Sequence, residues 1–271
     1  MKTMSRTIGL TILVIIIIAI CNSAQTTESR DDLKKYYEQY NVEGSFVLFD
    51  QTNNKYIFYN KSQFKQPFTP ASTFKICNSL IGLETDVIKD ENFIIPWDSI
   101  SRRVPAWNTE QDLKTAFKNS TVWYYQELAR RVGGEKMKYW LDKINYGNAD
   151  TSGGIARFWL SGGLRISPEQ QIHFLRRIHD NMLPFSQRSI DIVKNIMIAK
   201  DTLGYVARAK TGWGEQNDTN IGWYVGYVEK GNDVYYFANC IQTKNSENKE
   251  FAKARIEIVY LILKNLKILP E

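Results

Sequence analysis

The stretch TPASTFKICNSLIGLETD, residues 69–86, is the point from which the rest of the chain can be read. Pro70, followed by small polar residues and then an apolar-periodic run, marks a helix N-terminus. Ser72 and Lys75 stand three apart and so share one face of that helix, with the serine near the positive end of the helix dipole. Phe74, Ile76, Cys77, Leu80 and Ile81 make the surroundings of Lys75 apolar. Burial disfavours the charged form of an amine, so a lysine pressed into such a surface loses proton affinity. A neutral amine beside a hydroxyl is a base beside a nucleophile. The plainer reading of this motif alone is an N-cap serine with a lysine that snorkels to water. The spacing by itself leaves that reading in place.

Upstream, residues 1–30 read MKTMSRTIGLTILVIIIIAICNSAQTTESR. Lys2 and Arg6 form a basic start, residues 8–20 a long apolar run, and NSAQ a small-residue exit, which is the layout of a secretory signal peptide. The expected organisation is a signal peptide over residues 1–24 and a single functional domain over residues 25–271. Two rivals stand beside cleavage: retention of the run as a membrane anchor, and lipidation at Cys21, which the bulky Ile20 before it disfavours. Cleavage predicts an exported, periplasmic protein with no membrane partner afterwards.

The remaining length suits one large domain or two interleaved lobes around a sizeable core. Thirty-five Lys and Arg against 29 Asp and Glu give a formal charge of +6; loss of Lys2 and Arg6 lowers it by two, to +4. The basic residues are spread along the chain rather than clustered, which argues against a nucleic-acid partner. Cys77 and Cys240, the cysteines outside the leader, sit in apolar surroundings and read as buried free thiols rather than a disulfide framework. The two histidines, His173 and His179, are six apart in one helical segment and match no metal-ligand spacing. No glycine-rich phosphate loop is present. With so few histidines a Ser-His-Asp arrangement is disfavoured, and a serine nucleophile needs another base. Lys75 regains interest for that reason.

The hydrophobic periodicity divides the chain into blocks. GSFVLFDQTNNKYIFYN reads as a β-hairpin turning at Asn53-Asn54. From about residue 90 to 186 the spacing is helical, in DLKTAFKNSTVWYYQELARRVG, KMKYWLDKI and PEQQIHFLRRIHDNM. Strands return from Gly204 in YVARAKTGW, IGWYVGYVEK and DVYYFANCIQT, and the tail NKEFAKARIEIVYLILKNLKIL is a helix with a broad apolar face. Strands at both ends with helices between them predict an α+β fold. Its central antiparallel sheet is completed by both chain termini and flanked by helices, with a mostly helical lobe inserted and a cleft between the lobes.

Three more short motifs follow Ser72-x-x-Lys75 in order: Ser120-Thr121-Val122 at a turn-to-helix position, Tyr146-Gly147-Asn148 in a loop, and Lys210-Thr211-Gly212 on or beside a strand. Each is weak alone, but their order and spacing together echo the elements of penicillin-recognising serine enzymes. With Ser-Thr-Val as the second element and Tyr-Gly-Asn after it, the chain resembles the class D serine β-lactamases, the oxacillinases. The resemblance extends over the whole domain: ARFWLSGGLRIS with Trp159 and Leu160, the Trp223-to-Gly226 strand, Arg255 before the last helix, and Trp107 upstream of Ser120.

The resemblance implies hydrolysis of the β-lactam ring of penicillin-type antibiotics through a serine acyl-enzyme, conferring resistance. Ser72 is then the nucleophile and Lys75 carries a carbamate formed with CO2, so that CO2 or bicarbonate is needed although no separate cofactor or metal is. Trp159 would donate its indole N–H to the carbamate, with Val122 and Leu160 as apolar walls around it. The backbone N–H groups of Ser72 and Trp213 would form the oxyanion hole, and Ser120 would relay a proton to the departing nitrogen. Lys210, Thr211, Gly212 and Arg255 would hold the substrate carboxylate, Trp107 would line the cleft, and Tyr146 and Asn148 would shape its floor. The same fold also serves penicillin-sensor and transpeptidase-like domains, which acylate without turnover. A sensor would ordinarily be tethered to a transmembrane portion, and a non-catalytic wall-binding protein would need no base at Lys75.

Overall fold

In the computed structural model the described residues are 24–245 and 247–270; residues 1–23 of the expected signal peptide, with Lys2, Arg6 and Cys21, lie outside them. In chain order the elements are β1 (Thr26–Ser29), α1 (Lys34–Glu38), β2 (Glu43–Asp50), β3 (Lys55–Tyr59) and α2 (Lys75–Glu84), then α3 (Leu113–Lys118), α4 (Val122–Val132), α5 (Gly134–Ile144), α6 (Pro168–His179) and α7 (Gln187–Ile196). The chain finishes with β4 (Ile198–Asp201), β5 (Val206–Gln216), β6 (Thr219–Lys230), β7 (Asp233–Thr243) and α8 (Phe251–Asn265). The strands form one seven-stranded sheet in the order β1-β3-β2-β7-β6-β5-β4.

The central pairing, β2 against β7, joins the N-terminal hairpin to the C-terminal meander, so both ends of the chain complete the sheet. Neighbouring strands are antiparallel except at one edge, where β1 runs parallel to β3. Side-chain alternation divides the sheet residues between two cores. Phe49, Phe58, Trp223, Val225, Tyr227 and Tyr236 face the helical lobe and pack with α2, α4 and α6. Phe46, Leu48, Tyr224, Val228, Phe237 and Ile241 face the opposite way, against α1 and α8. Helix α2 lies between the sheet and the helical lobe, and nine of its ten residues are buried. Enclosure of this kind explains why its sequence is mostly apolar, and the buried polar side chains Asn78 and Ser79 donate to the Tyr125 and Lys75 carbonyls.

Cys77 and Cys240 are buried and free, as the sequence suggests. The helical stretch from Asp112 to Gly133 is broken at Ser120, as the turn-to-helix placement of Ser120-Thr121-Val122 predicts. Helix α3 ends at Lys118, Ser120 takes φ 54°, and α4 restarts at Val122. The sequence reading passed over β1 and β4. Both are four-residue edge strands, TTES and IAKD, almost wholly exposed and without alternation to reveal them.

Candidate active site

Ser72 belongs to a 3-10 turn, Ala71–Phe74, that runs directly into α2 with Lys75 as its first residue. A 3-10 turn has three residues per turn, so positions i and i+3 eclipse more closely than on an α-helix. Ser72 Oγ and Lys75 Nζ are accordingly 2.6 Å apart. Lys75 does not snorkel: it is 0% exposed. Its ammonium group lies 5.3 Å from the centre of the Tyr125 ring. Burial, and secondarily the charge of nearby Lys210, hold the Lys75 amine well below the ordinary lysine range. In its neutral form the amine accepts the hydrogen bond from the Ser72 hydroxyl.

The second hydroxyl comes from the break between α3 and α4. Asp112 caps α3 through the Thr115 N–H, at 2.7 Å, and the chain then turns through Ser120 in the left-handed region. Trp107 braces this turn: its indole donates to the Asn119 carbonyl at 3.0 Å, and the Trp107 carbonyl accepts from the Trp123 indole at 2.8 Å. Lys210 on β5 donates to Ser120 Oγ at 3.1 Å and to the Thr211 carbonyl at 3.2 Å. Burial, with a smaller push from Arg255, lowers Lys210 to about 7. One wall of the site thus holds Ser72 with Lys75, and the facing wall holds Ser120 with Lys210.

Strand β5 carries the third wall. Its outer neighbour, β4, pairs only with residues 206–208, so the edge beyond is open. The Ala209 N–H points to that side, bonding the Met197 carbonyl at 2.9 Å. The register with β6 is unbroken as far as Gln216, so by strand alternation the N–H groups of Thr211 and Trp213 leave β5 on the same open edge. Gly212 lets this edge approach the nucleophile turn: a Cβ there would meet the Pro70 carbonyl oxygen at 2.9 Å and Thr73 Cγ2 at 3.1 Å. The turn is also tied to the sheet by the Trp223 indole, which donates to the Thr69 carbonyl at 2.8 Å.

Arg255, in the first turns of α8, crosses the sheet over Gly222, where a Cβ would meet Arg255 Cγ at 2.8 Å. Its Nη1 donates to the Gly212 carbonyl at 2.7 Å, and its guanidinium stacks 5.4 Å from the Trp213 ring centre. Burial lowers its pKa to about 10, so it remains charged at neutral pH. Trp213 is 48% exposed, its indole donating to Asn220 Oδ1 at 2.9 Å. Trp159 is 0% exposed and packs 5.3 Å from the ring of Phe74, the residue before Lys75. Its indole N–H is buried and has no hydrogen-bond partner among the described residues. Val122 starts α4, and Leu160 packs on the edge of the core.

Tyr146 and Asn148 do not form a cleft floor. Tyr146 is 1% exposed, with its ring between Phe74 and Phe174, because the nucleophile turn rests on it from above. The Asn148 side chain locks its loop to the Trp159 segment, donating to the Gly163 carbonyl and accepting from the Arg165 N–H, each at 2.9 Å. The sequence reading also missed partners beneath the two amines. Phe117 lies 5.5 Å from Lys210 Nζ, and Tyr125 bonds Ser79 Oγ at 2.9 Å. Gln171 donates to Thr73 Oγ1 at 2.9 Å, inside the nucleophile turn. In the sequence Phe117, Tyr125 and Gln171 look like ordinary positions of amphipathic helices.

Residues 30–264 match the family described as the penicillin binding protein transpeptidase domain. The chain is 38% identical to β-lactamase OXA-48 of Klebsiella pneumoniae over 258 residues, covering 95% of this chain and 96% of that one. Among solved structures it is similar to the class D β-lactamase YbXI from Nostoc, with a TM-score of 0.84, 46% identity and coverage of 88% and 99% of the two chains. It is also similar to the C-terminal domain of the BlaR penicillin receptor of Bacillus licheniformis, with a TM-score of 0.85, 33% identity and coverage of 92% and 99%. With its serine and lysine in contact, its second serine held by a β5 lysine and its relatives spanning nearly the whole domain, the chain belongs to the class D serine β-lactamases, the oxacillinase branch of the penicillin-binding transpeptidase family.

Proposed function

We propose that the protein hydrolyses β-lactam antibiotics through an acyl-enzyme on Ser72. The observation that carries this reading is the 2.6 Å approach of a fully buried lysine amine to a serine hydroxyl. Among the described residues no carboxylate lies within ion-pair distance of either Lys75 or Lys210. A buried lysine without an acid partner is held neutral, which is the form that takes up a proton or reacts with CO2. Carboxylation of Lys75 fits the site, since the Trp159 indole N–H nearby is buried without an acceptor. When present, that group supplies an anionic oxygen base, both to deprotonate Ser72 and to activate the deacylating water.

The chain's own residues divide the remaining work. Ser72 Oγ adds to the lactam carbonyl to give a tetrahedral oxyanion, which collapses to the acyl-enzyme as the C–N bond breaks. The Trp213 N–H on the open β5 edge and the Ser72 N–H at its turn receive the developing oxyanion. Donors of this kind are worth about 3 kcal/mol each in other enzymes. Ser120, bonded to Lys210, passes a proton to the departing nitrogen. Arg255, with Thr211 and Lys210, binds the substrate carboxylate, for which a forked guanidinium is suited. Trp213 and Trp107 frame the entrance. We further infer that residues 1–24 are removed on export and that the enzyme acts in the periplasm. No helix of the described residues is long and apolar enough to cross a membrane.

A penicillin-sensing reading has one specific support, the likeness to the BlaR receptor domain. A chromogenic cephalosporin separates the two. Many turnovers per Ser72 support the hydrolase, whereas a single stoichiometric burst without further hydrolysis would replace it with the sensor. Ser72→Ala should leave no acyl adduct by mass spectrometry, and an unchanged adduct would move the nucleophile elsewhere.

A further inference from the structure

At the end of the sheet away from Ser72, the β4–β5 loop, the β6–β7 turn and the end of α8 enclose a groove of about 680 Å³. Lys200, Lys230, Lys264 and Lys267 line it, beside Leu203 and Tyr205. Among the described residues none of these four ammonium groups has a carboxylate within ion-pair distance. Lys230 is fixed by the Ile268 carbonyl at 2.8 Å, and Lys200 lies 5.5 Å from the Tyr205 ring centre. Leu203, at the tip of its loop, is fully exposed. Four unpaired cations around a protruding aliphatic side chain make a surface that is both strongly positive and apolar at its tip.

The topology says which way this surface points. Thr26 pairs with Lys55 at the start of β3, and Asp50, at the end of β2, pairs with Tyr235 just after the β6–β7 turn. The first described residues therefore emerge at the same end of the sheet as the lysine groove. In sequence they follow directly on the apolar run of residues 8–20. The active site lies the other way along β5, where Trp213 is seven residues from Val206, or roughly 23 Å at strand spacing.

We propose that this groove is a docking surface for an anionic phospholipid membrane. The lysines meet headgroup phosphates, Leu203 inserts among the acyl chains, and the Ser72 cleft faces away towards incoming substrate. Juxtamembrane lysines each strengthen binding to an anionic surface by about fivefold, so four are enough for reversible association without an anchor. The proposal is independent of the hydrolytic reading, because it uses none of the residues of the Ser72 site. It departs from the simpler expectation that the processed chain has no membrane partner.

The test is co-sedimentation of the secreted, processed protein with vesicles of phosphatidylcholine alone or containing phosphatidylglycerol, over a range of salt. Binding should require phosphatidylglycerol and fall steeply with salt. K264E/K267E should weaken it at least tenfold, and Leu203→Ser should weaken it at all salt concentrations. The charge-matched control K136E/K249E, made at exposed lysines outside the groove, should bind as the parent does. Circular dichroism and acylation by a penicillin confirm that each variant is folded. Failure of the parent protein to sediment with phosphatidylglycerol vesicles would overturn the proposal. Equal weakening by the groove and control pairs would overturn it too, by reducing the effect to general basicity.

Discussion

The indole N–H of Trp159 offers the sharpest test of how Lys75 works. Replacement by alanine is a poor probe, because Trp159 is fully buried between Phe74 and Phe158, with ring centres at 5.3 and 5.0 Å. Such a truncation costs about 3–5 kcal/mol in packing alone. Trp159→Phe keeps most of that contact and removes the N–H. In CO2-depleted buffer the parent N–H is an unsatisfied buried donor, a burden of about 1–3 kcal/mol. Its removal should then nearly offset the lost packing, and the two proteins should melt within a few degrees of each other. With bicarbonate present, a carboxylated Lys75 gains a charge-assisted hydrogen bond from the parent indole, worth about 1.5–3 kcal/mol.

Two consequences follow for measurement. Bicarbonate should raise the melting temperature of the parent, by mass action on the folded state, and should raise that of W159F distinctly less. Deacylation by W159F should slow about 10- to 100-fold, the same energy expressed as a rate, while acylation suffers less. The variant then shows a burst followed by slow turnover in stopped-flow hydrolysis of a chromogenic cephalosporin. Carbon-13 NMR with labelled bicarbonate reads the carbamate directly. A W159F protein that deacylates like the parent, with an unchanged bicarbonate midpoint and no carbamate signal in either protein, would leave Lys75 acting as a free amine.

Ser120 sits at φ 54°, so Ser120→Gly should be at least as stable as Ser120→Ala by thermal melting, by about 1 kcal/mol, while both lose acylation rate. Gly212→Ala places a Cβ 2.9 Å from the Pro70 carbonyl and should push β5 from the nucleophile turn, lowering kcat by on the order of 100-fold in steady-state assays. Arg255→Ala should lower kcat/KM about 10- to 100-fold, the worth of a charged hydrogen bond, most clearly for substrates carrying the carboxylate. Lys210 is depressed to about 7 by burial, so its charged form fades above that pH and KM for carboxylate-bearing penicillins should rise there. The same depression, relative to an unfolded lysine near 10.5, means that its contribution to stability is lost as pH falls from about 10.5 to 7. Denaturant titrations of the parent and Lys210→Met across that range should converge at the alkaline end.

The hairpin, the helical block, the returning meander and the last helix were legible because their side chains repeat at period two or 3.6 over long stretches. Edge strands β1 and β4 escaped because strands with both faces wet need no apolar alternation. The turn-to-helix position of Ser120 was legible in its motif, but its left-handed backbone was not. Its flanks, LKTAF and VWYYQEL, continue one helical pattern, and only the tertiary bracing by Trp107 and Lys210 holds the serine in the left-handed region. The reading of Tyr146 as cleft floor failed because burial depth is not written in a short loop motif. Conversely, the choice between a snorkelling and a buried Lys75 was open on the motif alone. It is settled by the burial of α2, which leaves Lys75 0% exposed with its amine on Ser72 Oγ rather than at the surface.

The site concentrates features that destabilise a folded chain. Ala71 and Ser120 both occupy the left-handed region, at φ 47° and 54°, the first next to Ser72 and the second carrying the other hydroxyl of the site, and such residues persist only where surrounding contacts over-determine them. Two buried amines lie within reach of each other's charge, and the Trp159 indole N–H has no acceptor. The compensating contacts surround these groups: aromatic rings pack beneath α2, the Trp223 indole ties down Thr69, and the Trp107 indole ties down Asn119. An anionic oxygen on Lys75 would resolve several of the remaining liabilities together. It would end the cost of a buried neutral amine held ready for protonation, give Lys210 a counter-charge across the cleft, and provide the Trp159 N–H with its missing partner. We infer that covalent capture of CO2 would suit a site with two buried lysines and, among the described residues, no carboxylate within ion-pair distance of either.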